Sequence, residues 1–223
     1  MAAPEPQTHS APLNADTLAV ARGPNGLFSP PINAVTHVVL QSNESEDAVF
    51  FAMPRGPAEQ GSELFREMIS SSMPEDPDEE PAVIPTQADA WTLSRCCAYM
   101  LFHYNNPAPE IEKPMTRPVQ TYIGEWDKRF LFEELLEDGD EAKHDGLLNV
   151  MEAAHNLNMK PLLELCGACV ANSMRGKDVE EIRALYKVVQ DQTPEQLERI
   201  RKSNEVFDKA MGLQAQGPVA AAE

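Results

Sequence analysis

Two cysteines, Cys166 and Cys169, have the spacing that most directly suggests chemistry in this sequence. A C-x-x-C pair can act in redox exchange or supply half of a zinc site. A redox pair ordinarily starts a helix, whereas both cysteines fall on the apolar stripe of a predicted helix, and the sequence has no second C-x-x-C or H-x-x-x-H to complete four ligands. We therefore predict that they pack as small apolar side chains, and we expect neither a metal nor another cofactor.

The remaining chemistry-bearing residues do not form a recognisable catalytic set. Four histidines are scattered among different predicted elements and are interpreted as surface or boundary residues: His37, His103, His144 and His155. The acidic segments Glu75–Glu80 and Glu133–Glu141 lack the spacing of a calcium-binding loop, so we interpret them as solvated charge. Since no glycine-rich phosphate-binding loop connects a strand to a helix, the sequence predicts a protein that is not an enzyme.

The overall charge of the chain argues against two classes of partner. Its 223 residues carry 36 acidic and 18 basic side chains, and the net charge of −18 would repel nucleic acid and anionic membranes. The amino terminus lacks the basic and apolar regions of a secretory signal, and no stretch approaches the roughly 20 apolar residues of a membrane helix. Because four cysteines do not make a disulfide framework, we expect reduced thiols and a location in the cytoplasm and nucleus.

The first half of the chain is expected to hold a small α/β domain. Residues 1–33 are rich in proline, alanine and polar residues without periodicity, and we predict a disordered tail there. Two β-prone runs, Thr36–Ser42 and Asp47–Met53, have the spacing of a hairpin. Ser62 is of the type that caps a helix, and a second helix with a buried stripe is predicted from about Asp89.

The second half of the chain is predicted to be helical. A linker over residues 105–124 contains four prolines that exclude a continuous helix. Beyond this linker, apolar residues recur at helical spacing through four short helices. Thr193 and Gln196 have the pattern of a capping box, with Pro194 at the first helical position, where its missing N–H costs nothing.

A series of motifs in this chain resembles one known family. In the carboxy-terminal half these are Ala153-Ala154, Leu162-Leu163, Val170-Ala171-Asn172, Glu180-Glu181-Ile182-Arg183 and Arg201-Lys202. Upstream they are Val38–Ser42, Val83-Ile84-Pro85 and Trp126-Asp127 with Phe130-Leu131. Along the chain, these motifs occur in the order that the family has. Over about Thr36 to Phe207, the sequence resembles the S-phase kinase-associated adaptor (Skp) family of SCF ubiquitin ligases.

The resemblance implies an α/β fold, a BTB/POZ-like domain with additional carboxy-terminal α-helices. Residues 34–157, with the linker inside them, correspond to the cullin-binding domain, and residues 158–211 correspond to a helical extension that holds an F-box. Residues 212–223 are predicted to be a second disordered tail. The implied function is that of a non-catalytic adaptor of an SCF-type E3 ubiquitin ligase, which bridges a cullin to F-box substrate receptors. The resemblance leaves open whether the free chain forms a homodimer.

The last helices are the predicted docking surface for an F-box protein. A short terminal helix has little core of its own to cover, so its apolar face makes sense as one wall of a groove that another protein's helices fill. Some of the predicted contacts must be internal core, but together they mark the surface: Leu162, Val170, Met174, Ile182, Tyr186, Leu197, Ile200 and Phe207.

The sequence departs from the family pattern at the position where relatives contact the cullin. His155 and Asn156 stand where members commonly carry an Asn-Tyr pair, and these two residues are the predicted cullin contacts. The departure keeps a second interpretation open, a divergent BTB-type adaptor that holds F-box proteins in non-cullin complexes, such as those of kinetochores or vacuolar-ATPase assembly. A metal or redox protein built on Cys166 and Cys169 is the third alternative.

Pro194 is a candidate for covalent modification. The resemblance places it at a position that is hydroxylated and glycosylated in protist members of the family. The start of a helix also explains a proline there without any modification.

Overall fold

The computed structural model describes residues 11–23, 26–45, 47–72, 74–136, 144–189 and 192–210, with only the backbone described for Ser72 and residues 207–210. The chain divides into two compact units, with the boundary between Leu185 and Tyr186. The first unit contains the sheet and seven of the helices that the structure describes, and the second contains one long helix.

A five-stranded sheet lies in the first unit, in the order β2-β1-β4-β3-β5. Its strands are β1 (Ala19–Arg22), β2 (Phe28–Ser29), β3 (His37–Gln41), β4 (Phe50–Pro54) and β5 (Val83–Pro85). The predicted hairpin is confirmed, because β3 and β4 pair antiparallel with Leu40 opposite Phe51. Strand β5 returns parallel to β3 after two helices, which gives the mixed α/β topology.

The helices of the first unit are α1 (Arg55–Gly61), α2 (Glu63–Ser72), α3 (Ala90–Asn105), α4 (Glu125–Arg129), α5 (Asp145–Asn156), α6 (Lys160–Met174) and α7 (Val179–Leu185). Helix α8 (Pro194–Ala210) lies in the second unit, and a π-helical turn, Phe130–Leu135, continues α4. The predicted cap at Ser62 is confirmed, because the Phe65 N–H donates to Ser62 Oγ at 3.0 Å. Asp89 caps α3 in the same way, since its Oδ1 accepts the Thr92 N–H at 2.8 Å. The α/β class with carboxy-terminal helices is therefore confirmed.

One hydrophobic core joins the sheet to helices α2, α3, α5 and α6. Its fully buried side chains include Val38, Leu40, Met53, Phe65, Leu93, Cys96, Leu147, Val150, Leu162 and Leu165. Because α6 contributes to this core, the first unit extends past the boundary predicted at residue 157 and ends after α7. The predicted helical extension is thus divided, with α6 and α7 in the first unit and α8 in the second.

The prediction of a disordered tail over residues 1–33 is wrong for residues 16–22 and 28–29. Residues 1–10 lie outside the described part, but a 3-10 turn (Asp16–Leu18) and strands β1 and β2 follow them. Ala15 is buried in the core and Phe28 is buried as well. This segment is held by hydrogen bonds and by single anchoring residues such as Ala15 and Arg22, and these do not produce an apolar period that sequence inspection detects.

Two histidines that the sequence suggested were surface or boundary residues are buried. His103 Nε2 lies 3.0 Å from Asp127 Oδ1, and its Nδ1 lies 3.1 Å from the carbonyl oxygen of Asn106. Trp126 stacks on Phe102 beside this pair, with ring centroids 4.2 Å apart. The pair joins the end of α3 to α4 in a low-dielectric environment. His144 is also buried, at the start of α5.

Candidate docking surfaces

Helix α6 presents some of the predicted F-box contacts and hides another. Val170 and Met174 are half-buried near its carboxy-terminal end, so part of each side chain stays accessible. Leu162 is fully buried in the core. It is therefore removed from the predicted contacts, because a side chain without accessible surface cannot meet a partner in this conformation. The apolar stripe of α6 contains both kinds of residue, and only tertiary packing separates them.

The side of α6 that faces away from the core carries an apolar groove that the sequence did not predict. Leu163 and Gly167 line it from the helix, and Ile111 and Met115 line it from the linker, around a cavity of about 350 Å³. A Cβ atom added at Gly167 would meet nothing within 4 Å, so the groove is open there. The spacing of Leu163, Gly167 and Ala171 is helical, but small residues carry little hydrophobic signal in a sequence.

Hydrogen bonds fix the linker against α6. Asn172 Oδ1 accepts the Val119 N–H at 3.1 Å. The Arg175 guanidinium donates to the carbonyl oxygens of Met115 and Thr116, at 3.3 and 2.7 Å. The proline-rich linker, whose prolines exclude a helix, thus lies along α6 in an ordered conformation.

Helix α7 is a short capped helix that exposes most of its surface. Gly176 adopts a φ of 76°, which ends α6 in the left-handed region that glycine tolerates. Asp178 and Glu181 then form a reciprocal capping box, with both hydrogen bonds at 2.8 Å. Ile182 follows on the helix and is half-buried, so it remains accessible in part.

Helix α8 is apolar on one face and exposed on all of its described side chains. The predicted capping box is confirmed: the Thr193 N–H donates to Gln196 Oε1 at 2.8 Å, and the Gln196 N–H donates to Thr193 Oγ1 at 3.3 Å. Pro194 is the first helical residue and is exposed, and its modification stays a prediction. Leu197 is 37% exposed and Ile200 is 47% exposed. No α8 side chain described, up to Val206, is buried.

Charged pairs on α8 itself stabilise its helical conformation. Arg201 lies 2.7 Å from Glu198 and also pairs with Glu205, and Lys202 lies 3.6 Å from Glu198. Hydrogen bonding from Arg201 holds the pKa of the Glu198 carboxyl below its usual value. These pairs are fully exposed, so they organise the helix locally and leave the apolar face uncovered.

Two further predicted F-box contacts have different outcomes. Tyr186, the first residue of the second unit, is half-buried, which leaves part of its ring accessible. Phe207 belongs to α8, but its side chain lies outside the described residues.

The predicted cullin contacts, His155 and Asn156, are both exposed at the carboxy-terminal end of α5. The turn that follows is fixed to α2. Ser62 Oγ donates to the Leu157 carbonyl oxygen at 2.5 Å, and Asn158, with a φ of 51°, donates from Nδ2 to Glu63 Oε2 at 2.6 Å. The two exposed side chains therefore stand on a backbone that is well anchored.

A polar cavity of about 160 Å³ adjoins Asn156. Its wall combines residues of α5 with the loop that leads into α3, among them Glu152, Asp89 and Gln87. Asp89 is also the N-cap of α3. The predicted cullin-facing end thus offers amide and carboxylate groups, whereas α8 offers apolar groups.

The C-x-x-C pair lies in the middle of α6, and both cysteines are buried. Burial raises the pKa of the Cys166 thiol well above its usual value. The prediction that Cys166 and Cys169 pack as apolar side chains is confirmed by this placement. In the part of the chain that the structure describes, no cluster of three or more metal-binding side chains is found. Among the same residues, no helix combines the length and apolarity that crossing a membrane requires.

Comparison with known proteins places these surfaces in a family context. Residues 160–206 match the model of the Skp1 family, dimerisation domain. The chain is 32% identical to the "E3 ubiquitin ligase complex SCF subunit sconC" of Talaromyces marneffei, over 75% of this chain and 94% of that protein. It is 32% identical to the "Suppressor of kinetochore protein 1" of Schizosaccharomyces pombe and to the "SCF ubiquitin ligase complex protein SKP1b" of Dictyostelium discoideum, over 63% and 60% of this chain and 83% and 78% of those proteins. This chain belongs to the Skp1 family.

Proposed function

We propose that the chain is a non-catalytic adaptor of an SCF-type E3 ubiquitin ligase, which bridges a cullin to F-box substrate receptors. The observation that carries this proposal is that apolar side chains stay accessible within residues 160–206, the range that matches the Skp1 family model. Leu197 and Ile200 on α8 expose apolar area that water does not favour, and a partner helix would cover it. The names of the relatives from Talaromyces and Dictyostelium support an SCF complex as the setting.

The F-box part of the proposal is tested with purified full-length chain and an F-box domain fused to a soluble carrier. The double variant Ile182→Asp/Leu197→Asp should weaken the affinity at least about 100-fold, because two charges would enter an apolar interface. The matched control is Val189→Asp, which places the same charge on an exposed apolar residue outside the predicted contacts. Unchanged affinity in the folded double variant, measured by isothermal titration calorimetry, would refute the assigned surface.

The cullin part of the proposal requires its own test, because His155 and Asn156 depart from the family pattern. We propose that this exposed end of α5, with its polar cavity, contacts the amino-terminal helices of a cullin. The variant His155→Asp/Asn156→Asp should weaken binding of the cullin amino-terminal domain and leave F-box binding unchanged. Wild-type affinity for the cullin in this variant would exclude the site.

A second function is favoured by the same departure and by one relative. The fission yeast protein is named a suppressor of kinetochore protein, so a member of this family is named for a kinetochore role. If wild-type chain binds F-box domains but no cullin domain, we assign it to F-box complexes without a cullin. Its buried cysteine thiols suit a reducing compartment, and we propose the cytoplasm and nucleus, which fluorescence microscopy of the tagged chain tests.

A further inference from the structure

The edge of strand β4 is occupied by a strand from the chain's own amino-terminal region. On one side β4 pairs with β3, and on the other it pairs antiparallel with β1, with Ala19 opposite Phe51 and Val20 opposite Phe50. An uncovered edge strand presents a row of free N–H and C=O groups, which is a template for pairing with another chain. Strand β1 supplies the hydrogen-bonding partners that β4 would otherwise lack.

The stretch that leads into β1 is anchored on helices α3 and α4. The Trp126 Nε1–H donates to the carbonyl oxygen of Ala11 at 3.2 Å. The Ala15 N–H donates to Ser94 Oγ at 3.0 Å, and Ser94 Oγ donates to Asp16 Oδ1 at 2.6 Å. Ala15 itself is only 1% exposed. These contacts hold the segment before the ladder begins, which matters because β1 has only four residues.

The stretch that leaves β1 is anchored by Arg22. Its Nη2 lies 2.7 Å from Glu80 Oε1, and its Nε donates to the Gly26 carbonyl oxygen at 3.1 Å. The guanidinium also lies 5.4 Å from the centre of the Phe28 ring and 5.9 Å from that of Phe50. One side chain therefore joins β1 to β2, to β4 and to the acidic loop.

We propose that residues 11–23 and 26–29 form an intramolecular edge cover, and that their release lets β4 pair with β4 of a second copy of this chain. The pairing of β1 with β4 is antiparallel, and antiparallel is also the orientation in which two identical strands meet about a two-fold axis. The second copy can thus occupy the place of β1 without changing the direction of the ladder. This device goes beyond the adaptor role, since it concerns a sheet edge and not the helices that the adaptor role uses.

The test uses the full-length double variant Ala19→Pro/Val20→Pro. Successive residues of an antiparallel pair alternate in donating hydrogen bonds, so two prolines remove the β1 donor whichever residue provides it. The control is Glu110→Pro, in an exposed linker that already carries Pro107 and Pro109. At concentrations where the chain is monomeric, we expect amide exchange within Phe50–Phe51, the residues that β1 pairs with, to accelerate at least about tenfold. At higher concentrations we expect the self-association constant from sedimentation equilibrium to rise at least about tenfold.

A synthetic peptide of residues 11–29 separates this edge from other modes of association, including any through residues 160–206. Added in excess, it should restore slow exchange in β4 and reverse the added association, whereas a scrambled peptide should do neither. If circular dichroism shows that the double variant does not fold, Arg22→Glu replaces it, because this change repels Glu80 and leaves the ladder donors in place.

The proposal is overturned by unchanged exchange in β4 of the monomeric double variant, which would mean that β1 does not protect that edge. It is also overturned if exchange accelerates without added self-association, because the exposed edge would then not pair with a second copy. Association that persists in the presence of the peptide has the same consequence, since it would lie on another surface.

Discussion

Helices α6 and α8 are both amphipathic in sequence, but α6 buries apolar residues in the core whereas α8 leaves its apolar residues exposed. In α6, the side chains of Leu165 and Cys166 are fully buried in the core of the first unit. In α8, no described side chain up to Val206 is buried, and Val206 itself is 68% exposed. The difference teaches that an apolar stripe predicts a contact but does not say whether the partner belongs to the same chain.

The two helices are also stabilised by different forces. Helix α6 gains from removal of its leucines from water, at about 1.5–3 kcal/mol for each fully buried side chain. Helix α8 depends on its capping box and on exposed pairs centred on Arg201. Most of the stability of a helix in a protein comes from packing of its apolar face. Because α8 lacks comparable burial, a partner that covers Leu197 and Ile200 would stabilise both the helix and the complex.

The largest expected difference concerns the reactivity of the cysteines. Burial raises the pKa of the Cys96 thiol to about 12, so at pH 8 this thiol is neutral and shielded. All four cysteines are buried. We expect their reaction with a disulfide reagent at pH 8 to be slower by on the order of a thousandfold than in urea, where all four should react. Two fast thiols in the native chain would indicate that α6 opens locally and is less like a core helix than described.

A buried hydrogen-bonded pair and an exposed ion pair should respond differently to removal of one partner. Asp127→Ala leaves the buried His103 without its hydrogen-bond partner, and we expect a loss of up to about 3 kcal/mol in the free energy of unfolding. The matched change Arg201→Ala removes an exposed pair on α8 and should leave the free energy of unfolding of the free chain unchanged. Urea unfolding followed by circular dichroism measures both, and equal losses would contradict the distinction.

Leucine truncation compares the two apolar faces directly. Leu165→Ala creates a cavity in the core and should cost about 3 kcal/mol of unfolding free energy. Leu197→Ala removes an exposed side chain and should cost less than about 1 kcal/mol in the free chain, while weakening F-box binding. The comparison fails if Leu197→Ala destabilises the free chain as much as Leu165→Ala does.

Local patterns in the sequence predicted the elements that local interactions determine. The hairpin of β3 and β4, the capped start of α2 at Ser62 and the capping box at Thr193 all depend on residues close to one another in the chain. The mid-helix position of Cys166 and Cys169 likewise sufficed to predict their packing. Local sequence patterns were therefore sufficient to predict most of the α/β architecture.

Contacts between distant residues could not be predicted in this way. Strand β1 joins the sheet through its pairing with β4, and the segment before it is held by contacts such as the hydrogen bond from the Ala15 N–H to Ser94 Oγ. No periodic pattern in the sequence predicts either interaction. The burial of Leu162 follows from how α6 packs in the core, whereas its neighbour Leu163 lines an open groove. The pairing of His103 with Asp127 requires the turn that brings α4 against α3.

The smallest predicted effect tests whether α8 depends on its own cap. Thr193→Ala removes the side chain that accepts the Gln196 N–H and should cost about 1 kcal/mol of helix stability. Thr193→Ser is the matched control, since it keeps the hydroxyl. Amide exchange in the first turn of α8 should accelerate in the alanine variant alone, while the thermal unfolding of the first unit should not change.

Because the helix must be formed to present Leu197 and Ile200, the affinity for an F-box domain should fall by up to about fivefold, which corresponds to about 1 kcal/mol. Full affinity together with faster exchange would mean that the partner orders α8 regardless of its cap. Helix α8 would then differ from α6 also in how it forms, since α6 is stabilised by the core of its own chain and α8 would be stabilised by its partner.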